Sequence, residues 1–170
     1  MKTMTTEGLI KKEGQFQYLE VGEGTPIVVL HGLMGGLSNF EAVVDFFPSQ
    51  NYKVVIPELL IYDMPLTKTT VKEFALYLKS FLEFKEFDSV ILLGNSLGGH
   101  IGLLHTKLNP DPVKALVITG SSGLYENSMG DGYPKRGDYN FIKAKAEEVF
   151  YDPKVATKEI VDEVFATVND

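Results

Sequence analysis

Cysteine and tryptophan are absent from the 170 residues, and histidine occurs only three times. Without cysteine there is no thiol nucleophile, no thiolate metal ligand and no disulfide, so the fold must rest on a packed core. Long hydrophobic runs are missing too: PIVVL, SVILLG and ALVI fall far short of the ~20 residues a spanning helix needs. The opening stretch MKTMTTEGLIKKEGQ lacks the apolar centre of a secretory signal, so the expected location is cytoplasmic. Positive charge is scarce as well, with 16 Lys+Arg against 23 Asp+Glu and a net charge of −7. That balance repels phosphate backbones and anionic lipid, so neither nucleic acid nor a membrane is an expected partner. No phosphate-loop glycine-lysine pattern, no G-x-G-x-x-G opening a helix and no H-E-x-x-H is found, and neither a metal nor a cofactor is expected. What remains is ordinary for a folded domain: 44% apolar and 23% charged residues. A chain of this size buries roughly 70% of its unfolded surface.

Up to residue 120 short β-branched runs alternate with longer amphipathic stretches, the pattern of a mostly parallel sheet flanked by helices. Residues 8–12 and 15–21, separated by Glu13-Gly14, read as a hairpin of exposed antiparallel strands. Buried strands are predicted at 26–30 and 53–56, and further strands at 89–93 and 113–119. Ser38 with Glu41 and Thr70 with Glu73 have the spacing of capping boxes. The first precedes Phe40, Val43, Val44 and Phe47 at helical intervals, the second Phe74, Leu78, Phe81 and Leu82. Leu97, Ile101, Leu104 and Leu108 mark a third helical face, which stops at Asn109-Pro110. After Gly120 comes a loop rich in Gly, Ser and Tyr, then helical patterns on Ile142, Ala146, Val149 and Phe150 and on Ile160, Val164 and Val168. This change of texture divides the chain into 1–120 and 121–170.

The motif Gly94-Asn95-Ser96-Leu97-Gly98, a G-x-S-x-G, falls between a predicted strand and a predicted helix. A serine raised on so tight a turn needs small neighbours, which Gly94, Gly98 and Gly99 supply, and the helix N-terminus behind it favours developing negative charge. The N–H of Leu97 is then a natural oxyanion donor. A second motif, HGLMGG at residues 31–36, follows the strand ending at Leu30. A turn there can supply the second donor, assigned to the N–H of Leu33.

With these two motifs in this order, the chain resembles the α/β-hydrolase superfamily, in its serine-hydrolase branch of esterase-like and meta-cleavage-hydrolase-like enzymes. The resemblance runs from about residue 8 to residue 120. It implies Ser96 as a nucleophile, a small-molecule ester or related carbonyl substrate, no cofactor, and His31 with Gly32 bracing the oxyanion turn. It also implies that the segment from 121 onward begins a helical cap.

In the superfamily the nucleophile is followed by an acid and then a histidine, carried after later strands that have no counterpart in these residues. None of His31, His100 and His105 follows an acid that follows Ser96. The resemblance therefore implies that base and acid lie beyond Asp170, in at least ~60 further residues, and that these 170 residues alone turn over little substrate. Two local substitutes stand beside that reading. His100 is one turn after Ser96, with its ring expected beside Leu104, and Glu126 or Asp131 could supply an acid, a solvated carboxylate being the other role for each. His105 is expected as a structural residue at the edge of the buried face. After the strand at 53–56 the sequence PELLIYDMPLTKTT lacks the family's glycines, and Glu58 stands in the place of its usual acid. Without later strands, residues 113–119 would form a sheet edge that invites self-association. The rival reading is a non-catalytic relative that keeps elbow and pocket as a ligand receptor or interaction domain.

Overall fold

β-Branched runs become strands and amphipathic stretches become helices in the computed structural model, which describes residues 10–33, 40–61, 69–124 and 137–169. Six strands, β1 (Ile10–Glu13), β2 (Phe16–Val21), β3 (Thr25–Leu30), β4 (Tyr52–Pro57), β5 (Val90–Asn95) and β6 (Val113–Thr119), form one sheet in the order β1-β2-β4-β3-β5-β6. β2 is antiparallel to both β1 and β4, and the other pairs are parallel. Three helices accompany them: α1 (Glu41–Phe46), α2 (Val71–Phe84) and α3 (Leu97–Leu108). The sheet and its helices lie in one compact unit, residues 1–126, and a second unit covers 127–170.

Alternation along the strands separates two cores. Val28, Leu30, Val55 and Leu92 pack with Phe74, Leu78 and Phe81 of α2 and Ile101 of α3. Ile27, Val29, Val54 and Ile56, on the opposite face, pack with Phe40 and Val44. α2 begins where its spacing places it, since Thr70 Oγ1 accepts the Glu73 N–H at 3.2 Å. Ser38 lies outside the described residues; the residue before α1 is Phe40, which makes no side-chain cap.

The opening hairpin corrects an expectation. β1 is exposed throughout, but Phe16, Tyr18 and Leu19 of β2 are buried. The cause is the sheet order: β2 lies between β1 and β4, so helices cover its side chains, and the rings of Phe16 and Tyr18 meet Phe81 at 5.3 and 5.4 Å. Lys85, at the end of α2, ties the hairpin down through an ion pair with Glu20 at 2.7 Å.

From β3 the chain passes through α1 to β4 on one side, and from β4 through α2 to β5 on the other. Neighbouring β3 and β5 lead in opposite directions, β3 to β4 and β5 through α3 to β6, and such a reversal opens a crevice at the carboxyl ends of β3 and β5. Those ends carry HGLMGG and GNSLGG.

In the second unit α4 (Tyr139–Val149) starts with Asp138, whose carboxylate accepts the N–H groups of Asn140 and Phe141. It packs on α5 (Lys158–Asn169) through Ala146, Ala156 and Val161. The Tyr139 hydroxyl donates to Asp162 at 2.6 Å. Among the described residues no helix is long and apolar enough to cross a membrane.

Candidate active site at the ends of β3 and β5

Ser96 occupies the single residue between β5 and α3, at φ 53° and ψ −118°. Few non-glycine residues adopt a positive φ, and this one is fixed from four sides. Its N–H donates to the Thr119 carbonyl at 3.0 Å, and its own carbonyl accepts the N–H groups of Gly99, His100 and Ser122 at 3.1 to 3.3 Å. Asn95 adds a side-chain bond to Thr119 Oγ1 at 3.0 Å, so β6 holds the turn from beneath.

The glycines of the motif are where side chains cannot fit. A Cβ on Gly94 would stand 2.5 Å from the Gly98 carbonyl oxygen. One on Gly98 would run into the carbonyl of Leu30 and come within 2.8 Å of that of His31. A Cβ on Gly99 would meet Ser121. α3 therefore starts directly against the end of β3, with Leu97 as its first residue, and its positive dipole end at Ser96.

The loop after β3 lies against the same serine. A Cβ on Gly32 would be 3.0 Å from Ser96 Cβ and 3.5 Å from Ser96 Oγ. His31 is committed at both ring nitrogens: Nε2 accepts the N–H of Leu59 at 3.0 Å, and Nδ1 lies 2.9 Å from the Gly32 carbonyl. Because Nε2 is the acceptor, the ring proton is on Nδ1 and is donated to Gly32. His31 thereby fastens the loop after β3 to the chain leaving β4. Leu33, the next residue, is 52% exposed.

The other candidates separate. The ring of His100 lies against Gly123, whose φ of +82° is free of the strain a Cβ would add, with Nδ1 3.5 Å from Ser122 Oγ. His105 is buried between α2 and α3 with Nδ1 3.3 Å from the Ala75 carbonyl. Glu126 and Asp131 lie outside the described residues. Glu58 contributes its backbone, while its side chain is exposed: its N–H donates to the Gln17 carbonyl at 2.8 Å and its carbonyl accepts the Tyr77 hydroxyl at 3.0 Å. Asn95, Ser122, Leu59 and Tyr77 are residues the motifs did not single out. Only Asn95 carried a sequence signal, its place beside Ser96. No group of three or more His, Asp or Glu residues suited to a metal ion occurs among the described residues.

A parallel sheet with this turn between strand and helix defines a class, and comparison with known proteins agrees. The model of the alpha/beta hydrolase fold matches residues 25–146, and the chain belongs to that family. It is 32% identical over 148 residues to a 2-hydroxy-6-oxo-6-(2'-aminophenyl)hexa-2,4-dienoic acid hydrolase of Metapseudomonas resinovorans, covering 79% of this chain and 51% of that protein. It is 29% identical to a 2-hydroxy-6-oxo-2,4-heptadienoate hydrolase of Pseudomonas putida, covering 62% of this chain and 40% of the relative. The chain thus spans about half or less of these curated relatives. Among solved structures it resembles MGS-MChE2, an alpha/beta hydrolase enzyme from the metagenome of Mar Chica lagoon sediments. The identity is 47% and the TM-score 0.67, with 95% of this chain and 84% of that one covered.

Proposed function

We propose that the chain carries the nucleophile and oxyanion hole of a serine hydrolase acting on an ester or related carbonyl compound. The observation that carries this reading is Ser96 on its strained turn, with Gly32 of the neighbouring loop against its Cβ and Oγ. Ser96 Oγ adds to the carbonyl carbon as its proton passes to a base, and the N–H groups of Leu33 and Leu97 hold the resulting oxyanion. Collapse expels the leaving group, which takes up the proton, and water then hydrolyses the acyl-enzyme. His31 and His105 are engaged with backbone groups, and His100 lies against the 121–123 turn, so none of the three is assigned as the base. The second unit is assigned to the start of a helical cap. Two of the relatives are named as hydrolases of 2-hydroxy-6-oxo dienoates, which favours a carbonyl substrate that is split by water.

The test is Ser96→Ala in the complete enzyme with a chromogenic ester. Hydrolysis should fall by about 10³-fold or more, since removing a nucleophile leaves only the binding and oxyanion contributions. Labelling by a serine-directed fluorophosphonate should disappear with it. Undiminished turnover in the variant would sink the assignment.

A further inference from the structure

Two peptide units and one imidazole form a continuous line of hydrogen bonds from α2 to the loop after β3. The Tyr77 hydroxyl donates to the Glu58 carbonyl at 3.0 Å. The N–H of that same peptide unit, on Leu59, donates to His31 Nε2 at 3.0 Å. His31 Nδ1–H donates to the Gly32 carbonyl at 2.9 Å, and the N–H of that peptide unit belongs to Leu33. No described peptide bond is cis, and in a trans unit C=O and N–H point in opposite directions. Fixing the Gly32 carbonyl therefore fixes the direction of the Leu33 N–H. Every donor in the line points the same way, so the dipoles reinforce one another.

We propose that Tyr77 is a positioning residue for the oxyanion hole, acting through the Glu58–Leu59 peptide and His31 on the orientation of the Leu33 N–H. The proposal rests on reading Ser96 as nucleophile and Leu33 as donor. Burial, with the nearby Glu58 charge, pushes the Tyr77 pKa up to about 12, so the hydroxyl stays a donor across any working pH. Its ring is held independently by Phe16, 5.4 Å away between centroids, so Tyr77→Phe removes the bond without removing the packing. The peptide units on either side are anchored as well, the Glu58 N–H donating to the Gln17 carbonyl at 2.8 Å and the Leu59 carbonyl accepting the Ile61 N–H at 2.7 Å. The loss on removing Tyr77's hydroxyl is accordingly partial.

Three measurements test it. The imidazole ¹⁵N spectrum of His31, which needs no catalysis, should report the Nδ1–H tautomer in the wild type and move toward a tautomer mixture in Tyr77→Phe. In the complete enzyme Tyr77→Phe should lower kcat about 5- to 30-fold, below the 10²–10³ typical of losing an oxyanion donor outright, with KM within about twofold. The affinity for a boronic acid transition-state analogue should fall by the same factor as kcat. Added to His31→Gln, Tyr77→Phe should have no further effect, because the line is already broken. An unshifted spectrum, an unchanged kcat or additive losses would overturn the positioning role. A shifted spectrum together with full activity of Ser96→Ala would instead overturn the catalytic reading, and the role of Tyr77 with it.

Discussion

His105 is 1% exposed, and its Nε2 has no hydrogen-bond partner among the described residues. Burial lowers its pKa, the bond to Ala75 opposes that shift and the charge of Lys79 adds to it, leaving the folded value below 6.5. The unfolded chain then binds more protons between the folded pKa and 6.5, so this stability is complete above 6.5 and is lost as pH falls through that window. The thermal midpoint should decline between about pH 7.5 and 5.5, and His105→Leu should flatten that dependence; equal slopes in both proteins would rule this origin out. Helical spacing places His105 near a buried face, but depth depends on how closely α2 approaches, which spacing does not encode. The same limit applies at the site. Ser96 and its glycines are legible because a strained turn demands small neighbours within a few positions. The line from Tyr77 to His31 is not, because it depends on where β4 and α2 come to rest beside β3.

At the scale of elements, the strands and helices of the first unit follow hydrophobic period, α2 also follows its Thr70 cap, and each expected strand is found within a few residues of its place. The hairpin departs because polar alternation suggested solvent on β2, whereas pairing with β4 gives it a place inside the sheet. Helix α3 shows how motif and packing are one requirement. Its first turn abuts the Leu30 carbonyl at Gly98, where the neighbour is backbone and cannot rotate away. Gly98→Ala should therefore cost about 1–3 kcal/mol in denaturant unfolding and displace Ser96. Gly137→Ala, where a Cβ meets nothing within 4 Å, is the matched control and should be near neutral. Equal stability of the two variants would contradict the close approach.

At the scale of the whole molecule, the sheet of the described residues ends at β6. Val117 is 46% exposed, and by register it shares a face with Leu93, as Ala115 does with Ile91. An apolar parallel strand with one neighbour among the described residues is a template for another strand. These 170 residues in isolation should therefore self-associate with rising concentration, as sedimentation would report, and Val117→Lys should shift the population toward monomer. A wild type that stays monomeric at high micromolar concentration would refute this. The turn at Ser96 bears on the same marginal balance from another direction. A non-glycine residue held in such a conformation costs about 1–3 kcal/mol, a sizeable part of the 5–15 kcal/mol by which a domain stays folded. Glycine at that position would relieve the cost. A lineage released from chemistry would therefore be drawn by stability alone to discard the hydroxyl, and mutational drift would erase this serine sooner than the core beneath it.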